Sequence, residues 1–434
     1  MPKKRVIAAI DLGTEKCITI IAVVDEETGG LKVVGVSVMP AKGMKRSMIV
    51  DLDQVLSSIS QSLDAAERMA GFDIKSVYVA VSGTHVVSKN SKGVVAVAAP
   101  DQEITAHDVE RVIEAARAIS LPADTKIMHV IPRDFKVDSQ DGIKDPVGMT
   151  GVRLESEAHI ITGMSTTLRN LEKVINDLGL KVDGFVFAGL ASSEVVLSET
   201  EKELGAVVVD MGAGTTSLSA FVDGALEYSG SVPVGARHIT QDIALGCRIS
   251  LASAEKVKVL LSSYDETEFK PHAGESKEEL MRRRKKADKL DLAKENIHEG
   301  VETLSKRTVV EGIMMPRMKE IFELIAKDLE KHNVLDKIPA GVILCGGGAQ
   351  TIGIIETAKR VLNLPVRLGN PIYPKGLVSD IQGPAFTASI GLLYYGKNRG
   401  ASLVSSAGIG SLFEGFDLKT IGSKLKGAFK SIMP

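Results

Sequence analysis

Two stretches, Val6-Ile-Ala-Ala-Ile-Asp11-Leu-Gly13-Thr14 and Val207-Val-Val-Asp210-Met-Gly212-Ala-Gly214-Thr215, carry one pattern in the two halves of the chain. Each reads as an all-apolar strand ending in Asp, then a Gly-containing turn, then a second apolar strand, Cys17 to Val24 or Ser217 to Val222. Turns at Thr28-Gly29-Gly30 and Asp223-Gly224 lead into a third strand, and a helical pattern follows: Leu52, Val55, Leu56, Ile59 and Leu63 in the first unit, the stretch from Ile239 in the second. A repeat of this kind predicts two similar α/β halves facing each other. One Asp-Leu-Gly-Thr is ordinary hairpin punctuation. Two at the same place put backbone N–H groups and carboxylates on both walls of a cleft, a clamp for phosphates and a hydrated Mg²⁺.

The rest of the chain suits that reading. With 434 residues, 53 basic against 55 acidic side chains and 44% apolar residues, it is long enough for about three globular units. The near-zero net charge argues against nucleic acid as main partner. Cys17, Cys247 and Cys345 are too scattered for a disulfide framework or a cysteine zinc site, which points to a reducing cytoplasm. The apolar stretch after the basic start is ended by Asp11, too short for a signal peptide, and no run approaches a spanning helix.

A third motif, Val342-Ile-Leu-Cys345-Gly346-Gly347-Gly348-Ala349, reads as a buried strand running through three glycines into a helix, where bare backbone lets a flat ring such as adenine approach. Leu168, Leu171, Val174, Ile175 and Leu178, closed by Gly179, form a core stripe, as do Met318, Ile321, Phe322, Ile325 and Leu329. His129, His159 and His238 read as structural histidines. The charged stretch from Ser276 to Glu299 reads as a solvated helical arm.

Asp11-Leu-Gly-Thr14, Asp210-Met-Gly-Ala-Gly-Thr215 and Gly346-Gly-Gly-Ala349 resemble the phosphate and adenosine motifs of the actin, chaperone and sugar-kinase superfamily. Within it the chain is similar to the FtsA family of bacterial division proteins, through Asp145-Pro-Val-Gly-Met149, His159-Ile-Ile-Thr-Gly163, Gly179-Leu-Lys-Val-Asp183, Phe187-Ala-Gly-Leu-Ala-Ser-Ser193, Pro233-Val-Gly235 and Thr240-Gln-Asp-Ile-Ala244. The resemblance implies an actin-like, duplicated ribonuclease-H-type α/β fold with a small α+β subdomain, 1C, inserted in place of actin's 1B. Its expected divisions are 1–84 and 163–196 for subdomain 1A, with a return at 385–396, 85–162 for 1C, 197–252 and 340–384 for 2A, and 253–339 for 2B. The insert carries strand-like Gly93 to Ala98 and Lys126 to Ile131 about a helix capped at Thr105-Ala-His-Asp108.

The same resemblance implies that Asp11 and Asp210 order the waters of Mg²⁺, that Gly13, Thr14, Gly212, Gly214 and Thr215 bind ATP phosphates with Lys16 as a point charge, and that Gly346, Gly347 and Gly348 meet the adenosine. Ala254-Glu255-Lys256-Val257-Lys258 resembles a ribose-contacting helix, with Glu255 and Lys258 as candidates. Ala213 and Ser217 depart from residues many relatives carry, and Phe187-Ala188-Gly189 offers no carboxylate near an attacking water, so tight ATP binding with slow hydrolysis is expected. Subdomain 2B is implied to receive the C-terminal tail of the tubulin-like FtsZ, with Arg307 and Arg317 facing its acidic part, and 1C to contact neighbouring subunits and later division proteins.

After Tyr394-Tyr-Gly396 a Gly/Ser/Ala-rich stretch, 397–410, reads as a flexible linker. Beyond it Leu418, Ile421, Leu425, Phe429 and Ile432 share one helical face, while Lys419, Lys424, Lys426 and Lys430 lie off it. A basic amphipathic helix over 411–434 reads either as a helix docked on the core or on a partner protein or, better suited to its long flexible tether, as one lying on an anionic membrane surface. The resemblance implies the latter, with polymerisation into an actin-like protofilament making marginal attachment firm through avidity. Three rivals share the fold: a small-metabolite kinase, which needs a carboxylate base in the cleft; a pilus-assembly protein, which has no use for the tail; and a chaperone, which needs a substrate-binding β domain.

Overall fold

The computed structural model describes residues 5–404 apart from 26–27, 98–102, 263–271, 273–274 and 378. The first half lays down β1 (Val6–Leu12), β2 (Lys16–Val24), β3 (Leu31–Pro40), α1 (Leu52–Ala70) and β4 (Ser76–Val81). An insert follows, with β5 (Val87–Ala96), α2 (Ala106–Arg117), β6 (Thr125–Val137), β7 (Gln140–Ile143) and β8 (Arg153–Met164), before α3 (Ser165–Asp177), β9 (Lys181–Phe187) and α4 (Ala188–Val196). The second half brings β10 (Ala206–Met211), β11 (Thr216–Val222), β12 (Ala225–Val232), α5 (Ala236–Cys247), α6 (Leu251–Leu261), α7 (Lys277–Ala287), α8 (Met315–Lys331), β13 (Gly341–Cys345), α9 (Ile354–Leu362) and β14 (Val366–Leu368). Last come β15 (Lys375–Gly376) and α10 (Thr387–Val404).

The repeat read from two motifs extends to whole sheets. The first is ordered β9-β4-β1-β2-β3-β15 and the second β14-β13-β10-β11-β12. In both, the Asp-bearing strand pairs antiparallel with the next strand and parallel with a later one. Both Asp-bearing strands are buried on both faces, which is why they read as continuous apolar runs. Helix α1 forms where Asp51 accepts from the Gln54 N–H, buries Val55, Ile59, Leu63 and Ala66, and ends at left-handed Gly71.

Between the sheets lie α4 and α10. One core joins β1 and α1 of the first half to Ala206, Val208 and Ile343 of the second through these helices; a second core fills the far face of the second sheet. A Cβ at Gly391 of α10 would stand 1.8 Å from the Ala191 carbonyl oxygen of α4, so only glycine lets these backbones meet. The insert has its own small core of Val109, Val112, Ile113, Phe135 and Leu154 under the sheet β5-β8-β6-β7. Its helix carries the Thr105/Asp108 capping box.

Two expectations are corrected. Helix α10 runs on to Val404, so the stretch expected to become a linker at Lys397 is helical over its first part, because Lys397, Asn398, Arg399, Ala401, Ser402, Leu403 and Val404 contain no proline and continue a helix already anchored on the core. The three glycines lead first into a 3₁₀ turn, Gly347–Gln350, with α9 starting only at Ile354. The remainder of the expected linker and the amphipathic segment 411–434, with its four lysines, lie outside the described residues.

Candidate functional site

Each repeated motif closes the same tight turn: the Gly13 N–H donates to the Lys16 carbonyl at 2.8 Å, and the Gly212 N–H to that of Thr215 at 3.0 Å. The sheets aim both turns into one cavity of about 390 Å³ between the halves. Every residue expected at a nucleotide lines it: Asp11, Gly13, Thr14 and Lys16 from one wall, Asp210, Gly212, Gly214 and Thr215 from the other, with Glu255, Lys258, Gly346, Gly347 and Gly348. Residues far apart in sequence share this cavity because β1, β10 and β13 all end there.

The two aspartates are fully buried. Burial, and then the charge of Asp210, push the Asp11 carboxyl up to about 7 against the opposing hydrogen bond of Ser389. Burial pushes Asp210 up to about 6, opposed by Ser192. Neither carboxylate meets a Lys or Arg among the described residues. Two buried carboxylates without a cation suit a hydrated divalent ion held through water. Among the described residues no group of three or more His, Cys, Asp or Glu is arranged to ligate a metal directly.

The other walls are built by close approach and hydrogen bonding. Gly346 has φ +80°, and a Cβ there would lie 2.4 Å from Asp210 Oδ1. A Cβ on Gly347 would meet nothing within 4 Å, leaving bare backbone towards open space. On α6, Lys258 Nζ donates to Glu255 Oε2 at 2.7 Å and to Thr240 Oγ1 at 2.9 Å, while the Thr240 hydroxyl donates to Glu255 at 2.6 Å. Burial works to raise the Glu255 carboxyl, but the charge and hydrogen bond of Lys258, aided by Thr240, hold it below its ordinary value.

Several lining residues carried no role in the sequence. Ser47 and Ser82 line the cavity; the Ser47 hydroxyl lies 2.7 Å from Thr215 Oγ1, and Ser82 donates to Ser47 at 3.0 Å. Glu15 also lines it and pairs across the cleft with Arg237. Ser192 and Ser389, which hold the two aspartates, sit in runs of small residues on α4 and α10, and such runs were the only signal that could have found them.

Arg307 and Arg317 lie apart from this cavity. Arg307 is exposed and paired with Glu311 at 2.9 Å. Arg317, on α8, is engaged by Asp242 and Glu320. His129, His159 and His238 all serve as structural hydrogen-bonding groups: His129 accepts from the Phe187 N–H, His159 bridges Asn90 and Ser229, and His238 accepts from the Gly235 N–H. Helix α7 of the charged stretch has no buried residue. Among the described residues no helix is long and apolar enough to cross a membrane.

Comparison with known proteins agrees with this architecture. Residues 83–162 match the family model of the SHS2 domain inserted in FtsA, and residues 207–391 that of cell division protein FtsA. The chain is 34% identical over 416 residues to the cell division protein FtsA of Pseudomonas aeruginosa, covering 94% of this chain and 93% of that one. It is 32% identical over 408 residues to that of Escherichia coli strain K12, covering 91% of each. Among solved structures it is similar to a chain of the PilM-PilN type IV pilus biogenesis complex, with a TM-score of 0.61, 14% identity and coverage of 90% of this chain and 98% of that one. It is also similar to MreB 5 of Spiroplasma citri bound to AMPPNP, with a TM-score of 0.53, 15% identity and coverage of 93% and 99%. The duplicated sheets, the cleft between them and the inserted module are thus an actin-like fold, and the chain belongs to the FtsA family of cell division proteins.

Proposed function

We propose that this FtsA-family chain binds ATP with Mg²⁺, polymerises as an actin-like protofilament on the cytoplasmic face of the cell membrane at the division site, tethers FtsZ filaments there and recruits later division proteins. The observation that carries the nucleotide part is the convergence of both glycine turns, both aspartates and the Gly346–Gly348 run on one cavity. The related fold of Spiroplasma MreB 5, solved with AMPPNP, supports it.

In this reading the Gly214 N–H and the Thr14 and Thr215 hydroxyls bind phosphate oxygens, with Lys16 adding charge, while Gly13 and Gly212, whose own N–H groups close the two turns, leave bare backbone against which the phosphates pack. Asp11 and Asp210 hold the hydrated cation, and Glu255, Lys258 and the three glycines orient the nucleoside. A bound divalent cation supplies charge neutralisation to the phosphates and to the two carboxylates. Because the ligand touches both halves, it favours the closed arrangement. Phe187-Ala188-Gly189 supplies no carboxylate to activate water, which favours slow turnover.

The membrane part rests on the sequence of 411–434, whose apolar face from Leu418 to Ile432 and flanking lysines suit an anionic surface. For the FtsZ tail, Arg307 is the more exposed of the two candidates, and each guanidinium would exchange an internal carboxylate, Glu311 for Arg307 and Asp242 with Glu320 for Arg317, for the acidic part of the peptide. The test is co-sedimentation with anionic vesicles in Mg·ATP, comparing the full chain with one ending at Gly410. Pelleting of the full chain alone supports the tether; equal solubility of both overturns it.

A further inference from the structure

The hairpin tip at Arg46 and Ser47 is built for a turn that these two residues fit badly. It joins the short strands Met44–Lys45 and Met48–Ile49, with Lys45 opposite Met48, so Arg46 and Ser47 are its two central residues. Their φ values are +49° and +60°, the left-handed pair of a type I′ turn, which Asn-Gly satisfies and Arg-Ser does not. Strain of this kind persists where the surroundings over-determine it and is often tied to a function.

The surroundings here are the two phosphate turns. The Ser47 N–H donates to Thr14 Oγ1 at 3.2 Å, and its hydroxyl is 2.7 Å from Thr215 Oγ1. Ser47 thus spans the cleft between a threonine of each half, with Ser82 donating to it from β4's end. The tip is packed against the second turn: a Cβ at Gly214 would lie 3.0 Å from Arg46 Cα and 3.2 Å from Arg46 N. None of Ser47's hydrogen bonds goes to the Gly346–Gly348 run, where the nucleoside side of the cavity is assigned. Arg46 is exposed and makes no ion pair with a described residue.

We propose that the Arg46–Ser47 tip is the terminal-phosphate reader of this cleft, an inference that rests on the nucleotide reading above. Ser47 holds Thr14 and Thr215 together when no third phosphate lies between them. A triphosphate takes over those hydrogen bonds, with the Ser47 hydroxyl donating to it and the Arg46 guanidinium adding positive charge, whereas a diphosphate leaves the Thr14–Ser47–Thr215 bridge in place. The strained turn places a charge and a hydroxyl where Asn-Gly would supply neither.

The test is the double substitution Arg46→Asn with Ser47→Gly in the full chain. Asn-Gly suits a type I′ turn better than the native pair, so a change in binding cannot be ascribed to failure of the hairpin to form. Affinities for Mg·ATP and Mg·ADP are measured by calorimetry, together with the melting temperature without nucleotide. The expected result is a melting temperature close to that of wild type, the better turn offsetting the lost Ser47 hydroxyl bonds, with ADP affinity within about twofold of wild type and ATP affinity lowered about tenfold. Equal weakening of both nucleotides, or an unchanged ATP-to-ADP ratio, overturns the proposal and leaves the nucleotide site standing. A wild-type chain that binds neither nucleotide overturns both.

Discussion

Asp11 and Asp210 are held by serines from different helices of the central pair: Ser389 of α10 donates to Asp11 Oδ2 at 3.3 Å, and Ser192 of α4 to Asp210 Oδ2 at 2.6 Å. The two helices that glue the sheets together also hold the charged groups at the base of the cleft. Fold and site are therefore not separable here, since any shift of α4 against α10 moves one carboxylate relative to the other.

That arrangement has a pH signature. Folded Asp11 and Asp210 titrate near 7 and 6, above the value of about 3.9 in an unfolded chain, so between about pH 4 and 7 the folded state holds protons the unfolded state lacks. Their contribution raises stability as pH falls through 7. His129 and His159 do the reverse: burial first, then Arg399 for His129 and Arg133 for His159, hold both at about 3, and stability is lost as pH falls below about 6.5. The two pairs oppose each other over the same window. Asp11→Asn removes one arm, so it should stabilise the nucleotide-free protein at pH 8 by about 2 kcal/mol and make its melting temperature fall more steeply than wild type between pH 7 and 5. Thermal scans of both proteins without nucleotide check this; parallel pH curves would count against it.

Gly391→Ala should be among the most damaging one-methyl changes in the chain. Its Cβ would stand 1.8 Å from the Ala191 carbonyl oxygen, and backbone cannot swing aside as a side chain would. The expected loss is up to about 3 kcal/mol by denaturant unfolding, with weaker nucleotide binding because α4 and α10 carry Ser192 and Ser389. A variant of wild-type stability would show that the helices can separate at little cost.

Lys258→Met tests the polar triad that joins α6 to Thr240 of α5. The methionine keeps the buried stem but leaves Glu255 and Thr240 without their ammonium partner, so the Glu255 carboxyl should titrate higher. If Glu255 orients the nucleoside, affinity for Mg·ATP falls about tenfold, while stability, because the Glu255 side chain is half exposed, changes by about 1 kcal/mol. Calorimetry at pH 7 separates the two effects.

Much of this was legible in the sequence because it rests on short-range rules. Val6 to Thr14 and Val207 to Thr215 announce their strands by apolar runs and their turns by glycine, and the repeat of the pattern implied the cleft. Thr105 and Asp108 announce a helix start equally plainly. What stayed hidden depends on distant approach. Nothing local marks Ser47 as a bridge between Thr14 and Thr215, and Arg-Ser does not advertise a type I′ turn. Nothing local marks Glu15 as the partner of Arg237 from the other half. The extension of α10 past Lys397 was missed because its Gly400 and small residues suggest a linker, while packing of its earlier turns carries the helix on.

His159 joins the insert to the second half, and its tautomer follows from its neighbours. Asn90 Nδ2 donates to the Glu227 carbonyl, which turns Asn90 Oδ1 towards His159 Nδ1 at 2.6 Å; Nδ1 must carry the proton, and Nε2 accepts from the Ser229 hydroxyl at 3.0 Å. Around it the Ser229 N–H donates to Ser88, and Arg133 bridges Glu157 and Glu227. The seam therefore binds β5, β6 and β8 of the insert to β12, the strand that continues the sheet of the second turn. His159→Leu leaves Asn90 Oδ1 without its donor and the Ser229 hydroxyl without its acceptor in a buried place, at a cost of roughly 2–3 kcal/mol. Hydrogen exchange should then accelerate in both Val87–Ala96 and Ala225–Val232, because the two strands protect each other across the seam. Acceleration confined to the insert would mean that His159 only stabilises its own sheet. If both strands respond, a movement of the second half that closes the cleft has a fixed path to the insert.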